Sequence, residues 1–266
     1  MLNRRRAWLL SASLANLLFL YAPIAVLVVF SFNASRLSAQ WQGLTLQWYQ
    51  ILASDEALFA AVQNSLLVAG VSTVIATVLG VGAAVGLERG SFRGQRLVDG
   101  ALLLPLVIPE VVMGVALLLF FVMIRVPLSL VTVTIGHAAF NVPVVMVIVR
   151  ARLRKLDPAL EEAARDLGAT AWQAFRRVTL PLLSPAIAGG VLMAFTVSLD
   201  DFVVTFFTAG PGSTTLPLRV YSMIKSGVSP EINALSALLV LVSMALIAFS
   251  LLLQRKAPMA DEAGKG

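Results

Sequence analysis

The chain has 266 residues, 59% of them hydrophobic and only 13% charged, with a mean hydropathy of +0.89. Soluble domains are about 45–50% apolar, and a water-soluble core would not hide this much hydrophobic surface. The net charge of +6 suggests nucleic acid, but the basic residues are scattered beside the ends of apolar runs rather than gathered on one soluble face, and membrane topology explains them better.

A hydrocarbon layer of about 30 Å takes roughly 20 helical residues. Six runs meet that length, at residues 8–32, 62–87, 98–124, 128–149, 186–208 and 232–253. The expected fold is an all-α membrane protein, residues 1–266 forming a single transmembrane domain, with its largest loops at 33–61, 150–185 and 209–231. An even number of spans places both termini on one side. The loops of that side carry sixteen Lys and Arg residues, including Arg89, Arg93, Arg96, Arg150 and Arg154, against four in the others: Arg36, Arg125, Arg219 and Lys225. By the positive-inside rule both termini and the 150–185 loop are expected in the cytosol.

At the start of the chain, Arg4, Arg5 and Arg6 precede the first run as they would in a secretory signal. The run exceeds the 7–15 residues of a signal core and lacks a convincing cleavage site, so an uncleaved first helix is expected. Trp41, Trp48 and Tyr49 follow in the first outer loop. They read as an interfacial aromatic belt, with contact to a binding protein as the alternative.

The third run contains Pro105 and Pro109, which break or kink a helix just before Glu110. Glu110, Asp200 and Asp201 are acids inside apolar runs, where charge is costly and usually faces a cavity or a partner. Counting about 1.5 Å per residue puts Glu110 about 18 Å, and Asp200 about 21 Å, from the cytosolic starts of their spans. With no mid-span Lys or Arg, the three acids favour a cationic cargo. Pairing with another helix or subunit remains the alternative, and Asp200 and Asp201, about 100° apart on a helix, do not point equally into one pathway. His137 and Asn141 share a face of the fourth run and read as interhelical hydrogen-bonding groups; no metal site is assigned.

In the 150–185 loop, Asp157 and Pro158 begin a helix of about ten residues that Gly168 ends in a left-handed conformation. Thr170 and Gln173 form a capping box for a second helix carrying Trp172, Phe175 and Val178, which Pro181 limits. Ala159, Ala163 and Ala164 give the first helix a small-residue face. A helix–turn–helix knob outside the bilayer is the result, a plain surface connector being the alternative. Beyond the spans, Pro211, Gly212 and Pro217 mark an outer turn-rich loop.

Within that knob, Glu162-Ala163-Ala164-Arg165-Asp166-Leu167-Gly168, followed by Val178-Thr179-Leu180-Pro181, resembles the EAA signature of ABC-importer permeases. Val178 stands where that family usually has Ile. The resemblance implies a type I importer permease fold whose cytosolic coupling helix docks into the ATPase subunit, through Glu161, Glu162, Ala163, Ala164 and Gly168. Trp41-Gln42-Gly43-Leu44-Thr45-Leu46-Gln47-Trp48-Tyr49, Asn64-Ser65-Leu66, Pro109-Glu110-Val111, Ser198-Leu199-Asp200-Asp201, Leu216-Pro217 and Ser229-Pro230-Glu231-Ile232-Asn233-Ala234 look like the spermidine/putrescine branch.

That resemblance implies a subunit of the bacterial inner membrane working with a second permease subunit, an ATPase dimer and a periplasmic substrate-binding protein, surrounded by lipid and without nucleic acid. No phosphate-binding Gly-x-x-x-x-Gly-Lys-Ser/Thr loop occurs in the chain, so ATP and Mg belong to the partner ATPase and no cofactor is assigned here. Neither a G-x-S-x-G nor an H-E-x-x-H motif is present, which argues against a membrane enzyme. The absence of cysteine excludes disulfides, thiolate metal sites and a Cys nucleophile. A proton-coupled secondary transporter stays as the competing class, although the proline break of the third run lacks a clear counterpart in the sixth. Within the importer class, an aminophosphonate, iron or an oxyanion is the competing cargo.

Overall fold

The structure, a computed structural model, describes residues 2–35, 40–225, 227 and 229–256, the side chains of residues 2–7 and 246–256 excepted. Arg36 and Lys265, and the side chains of Arg4, Arg5, Arg6, Arg255 and Lys256, therefore lie outside the described residues.

The elements run α1 (Leu2–Phe30), α2 (Gln47–Ala53), α3 (Glu56–Arg89), α4 (Gln95–Val107), α5 (Glu110–Met123), α6 (Leu130–Leu153), α7 (Ala159–Asp166) and α8 (Ala171–Ala174). A π-helical turn, Phe175–Thr179, leads into α9 (Leu180–Asp200), α10 (Val203–Thr208), α11 (Leu216–Lys225) and α12 (Pro230–Lys256). Among the described residues there is no strand, only an isolated bridge between Asn33 and Leu44. Four helical stretches are long and apolar enough to cross a membrane: Trp8–Phe30, Glu56–Arg89, Leu130–Leu153 and Ala171–Asp200. The pair α4 and α5, bent by 111°, forms a fifth if taken as one broken span. The expected sixth span falls on α12, whose described apolar part is Pro230–Ala245.

The chain divides into two compact units. In the first, Met1–Asp55 with Val220–Gly266, α1 and α2 pack against α12. The segment after α1 is pinned by Asn33, whose Oδ1 accepts from Gln42 N at 2.9 Å and whose carbonyl accepts from the Trp48 indole N–H at 2.7 Å. Trp48 is buried, and the Tyr49 hydroxyl bonds Ser31 Oγ at 2.7 Å. The aromatic belt expected from sequence is thus corrected: Trp41 is exposed as a belt residue should be, whereas Trp48 and Tyr49 turn inward because their polar atoms find partners.

In the second unit, Glu56–Arg219, the centre is a bundle of α3, α6 and α9. Its sequence cause is a face of small side chains along α3, with Ala61, Ser65, Ala69, Ser72, Ala76, Gly80 and Ala84 all buried at intervals of three or four residues. Without a hydrophobic drive between helices in lipid, such faces let backbones approach for dispersion contact. Gly80 marks the closest approach: a Cβ there would stand 2.8 Å from the Val142 carbonyl oxygen. Val145, Met146, Val149 and Leu153 of α6 complete the core with Leu183 and Ala194 of α9.

Two expectations about breaks meet different outcomes. The third run does break before Glu110, with Ile108 extended at ψ 134° because a following proline disfavours the helical region. The straight-rod depth for Glu110 therefore does not apply. Pro181, however, does not limit the second loop helix: α8, the π turn and α9 run on as one 30-residue helix. The missing proline N–H falls just after a π turn, where the regular hydrogen-bond ladder is already interrupted. The fifth span instead breaks at its other end, where Asp201 is extended at ψ 122°.

Candidate functional site

The break after α9 is built around Asp201. Its carboxylate accepts from the backbone N–H groups of Val204 (3.2 Å) and Thr205 (2.9 Å), capping α10, and from the Thr205 hydroxyl at 3.0 Å. From α6, His137 places Nε2 3.1 Å from Asp201 Oδ2 and 2.9 Å from Thr205 Oγ1. Its Nδ1 lies 2.6 Å from Ser198 Oγ, which in turn lies 3.1 Å from Ser72 Oγ on α3. An ionised carboxylate supplies only acceptors, so a proton on His137 Nε2 has Asp201 as its partner. One buried chain of polar groups thus joins the three central helices to the break. His137 and Asn141, whose Nδ2 donates to the Ala194 carbonyl at 3.2 Å, are the interhelical groups expected from sequence.

A cavity of about 250 Å³ opens beside this chain, lined by Glu110, Phe140, Val197, Asp200, Asp201, Phe202, Val203 and Val204. All three acids singled out from the sequence meet there, in unequal roles. The Asp201 side chain is 6% exposed and committed to His137 and the α10 cap, whereas Asp200 and Glu110 are exposed and make no ion pair among the described residues. Glu110 is the first residue of α5, where the helix dipole favours a carboxylate. The charged groups of the lining are all anionic, so the cavity suits a cation.

The 150–185 loop folds largely as read. The Asp157 carboxylate accepts from Ala159 N at 3.0 Å at the start of α7, which spans eight residues, and Gly168 ends it at φ +88°. Ala169 N donates back to the Ala164 carbonyl at 3.0 Å, closing the turn. The Thr170–Gln173 capping box is complete, with Gln173 N bonded to Thr170 Oγ1 at 3.3 Å and Thr170 N to Gln173 Oε1 at 2.8 Å. Adjacent glutamates separate here. Glu161 turns inward to the Thr179 hydroxyl and to Arg89 Nη2 at 3.3 Å, bracing α7 against α3 and the π turn, while Glu162 and Ala163 stay exposed. A recess of about 330 Å³ lies behind α7, lined in part by Ala164, Leu167, Gly168 and Gln173.

Two further constellations were missed in the sequence. Arg150 on α6 donates Nε to Glu88 of α3 at 2.8 Å and Nη1 to Asp99 of α4 at 2.6 Å, with Arg154 Nε 3.0 Å from Glu88. Acids at the ends of two runs, opposite an Arg-rich end of a third, were the available signal. Asn64 donates Nδ2 to the carbonyls of Gly212 (3.1 Å) and Thr214 (3.0 Å), and Ser65 Oγ accepts from Leu216 N at 2.8 Å, so the turn-rich loop is tied to α3.

Comparison with known proteins agrees with this geometry. Residues 76–256 match the family described as binding-protein-dependent transport system inner membrane component. The spermidine/putrescine transport system permease protein PotC of Escherichia coli is 42% identical over 89% of this chain and 90% of its own length. The putrescine transport system permease protein PotI of Escherichia coli is 43% identical over 88% and 86%. The sulfate transport system permease protein CysT of Escherichia coli is 30% identical over 76% and 78%. Among solved structures, a bacterial ABC transporter involved in the import of the acidic polysaccharide alginate superimposes with a TM-score of 0.72 at 18% identity, covering 96% of this chain and 98% of its own. The fold is that of a type I ABC-importer permease.

Proposed function

The chain belongs to the family of binding-protein-dependent transport system inner membrane components, and from that premise we propose that it imports polyamines such as putrescine or spermidine. The observation that carries this reading is the anionic cavity at the junction of two broken spans, where Glu110 and Asp200 are free to meet ammonium groups. Carbonyls released at helix breaks are tolerated where they line a wet cavity and would add acceptors for the same cargo. The greater identity to polyamine permeases than to a sulfate permease supports the same choice, and an oxyanion would be repelled by this lining.

In this reading the chain is a non-catalytic membrane domain with both termini in the cytosol, paired with a second permease subunit of different sequence. A periplasmic binding protein delivers cargo, and an ATPase dimer holds the ATP and Mg. Glu162, Ala163, Ala164 and Gly168 present α7 to the ATPase, while Glu161 fastens α7 to Arg89 and Thr179. ATPase closure then displaces α7, and the π turn passes that movement into α9, whose far end bears Asp200. Alternating access follows without any covalent step. The test is uptake of labelled putrescine by cells lacking their own polyamine importers and carrying this permease with its partner subunits. Import that Glu110→Gln and Asp200→Asn weaken supports polyamine cargo; sulfate or iron import under the same conditions would replace it.

A further inference from the structure

We propose that the recess formed by Trp172, Gln173, Arg176 and Arg177 binds the phosphate of an anionic phospholipid headgroup. Its volume is about 550 Å³, and the four side chains lie on α8 and the first turn after it. Residues 178–199 contain no charged side chain and, at about 1.5 Å each, span about 33 Å, the thickness of the hydrocarbon layer. Because α8, the π turn and α9 form one helix that breaks at Asp201, the straight part of the fifth span runs from Val178 to that break rather than from residue 186, and Arg176 and Arg177 stand at its edge, level with the headgroups, on the side that the orientation proposed above makes cytosolic.

The lining is a set of donors. Both guanidiniums are exposed and form no ion pair among the described residues. The Gln173 side-chain carbonyl accepts from Thr170 N, and its amide N–H groups add donors on an exposed residue. Trp172, 66% exposed, is steadied by Phe175 with ring centroids 5.5 Å apart, and its indole N–H adds a further donor where tryptophan prefers to lie. Glu161, the acid that reaches the π turn, is held by Arg89 and Thr179. Guanidiniums match phosphate oxygens by paired hydrogen bonds, and basic recesses at this level bind acidic headgroups. Because the same helix continues into α9, an occupied recess would fix the membrane depth of the segment that receives force from α7.

The test uses the assembled importer, extracted from membranes and examined by native mass spectrometry, with phosphatidylglycerol titrated into nanodiscs of phosphatidylcholine. Wild-type complex is expected to retain phosphatidylglycerol, and Arg176→Gln with Arg177→Gln to weaken its apparent affinity roughly tenfold, with the double Lys variant in between. ATPase subunit stoichiometry is read in the same samples. Loss of lipid with the ATPase still bound supports the proposal and is independent of the docking role of α7. Equal lipid retention in wild type and variant overturns it, as does loss of the ATPase with lipid unchanged, which would assign the recess to a protein partner.

Discussion

His137 on α6 and Asp201 at the end of α9 stand 3.1 Å apart, with Asp201 also capping α10. One carboxylate therefore both ends a broken span and fastens the break to the neighbouring helix. Its neighbour Asp200 is free of that duty and lines the cavity with Glu110.

Replacing Asp201 with Ala leaves the Val204 and Thr205 N–H groups without their acceptor. Stranding buried donors costs about 1–3 kcal/mol, so the purified complex should unfold at lower temperature in detergent. Asp200→Ala should leave the unfolding temperature unchanged. Equal thermal shifts for the two variants would show that the division of labour is wrong.

Asp200→Asn and Glu110→Gln should instead raise the KM for polyamine uptake, roughly tenfold for a contact of about 1.4 kcal/mol, with complex assembly intact. Uptake kinetics in cells, set beside subunit co-purification, measure both. Unaltered KM in both variants would remove these acids from the pathway.

The adjacent glutamates of α7 should separate in the same way. Glu162→Lys, on the exposed face, should lower ATPase co-purification. Glu161→Gln should keep the ATPase bound while lowering the cargo moved per ATP, because it loosens α7 from Arg89 and Thr179. Normal coupling in Glu161→Gln would show that the brace carries no force.

Gly168 adopts φ +88°, which costs a residue bearing Cβ about 1–2 kcal/mol. A methyl group at this position would meet no heavy atom within 4 Å, so Gly168→Ala tests backbone strain without a clash. Hydrogen exchange across α7 should quicken; unchanged protection would mean that the turn tolerates the substitution.

Because the chain has no cysteine, single replacements report sidedness directly. In intact spheroplasts an impermeant maleimide should label Gln42→Cys but reach Leu167→Cys only after permeabilisation. The opposite pattern would invert the orientation drawn from the positive-inside rule.

The long apolar runs, the break before Glu110 and both caps of the 150–185 loop were legible because each has a local cause: span length, proline, glycine, or a Thr and Gln three residues apart. The break at Asp201 was not, since no proline marks it and its cause is an imidazole some sixty residues away in the chain. Pro181 misled for the converse reason: a π turn absorbs its missing donor. Trp48 looked interfacial until the Asn33 carbonyl gave its indole an inward partner. Neighbouring residues of one type, Asp200 with Asp201 and Glu161 with Glu162, were recognised as chemistry, but their division of labour depends on tertiary contacts.

The most direct measurement is putrescine import into proteoliposomes that hold the permease pair, the ATPase dimer and the binding protein, with ATP present or withheld. Accumulation is expected only with the full set and ATP, and none from this chain alone. Accumulation by this chain alone, driven by a proton gradient without the ATPase, would contradict ATP-driven import.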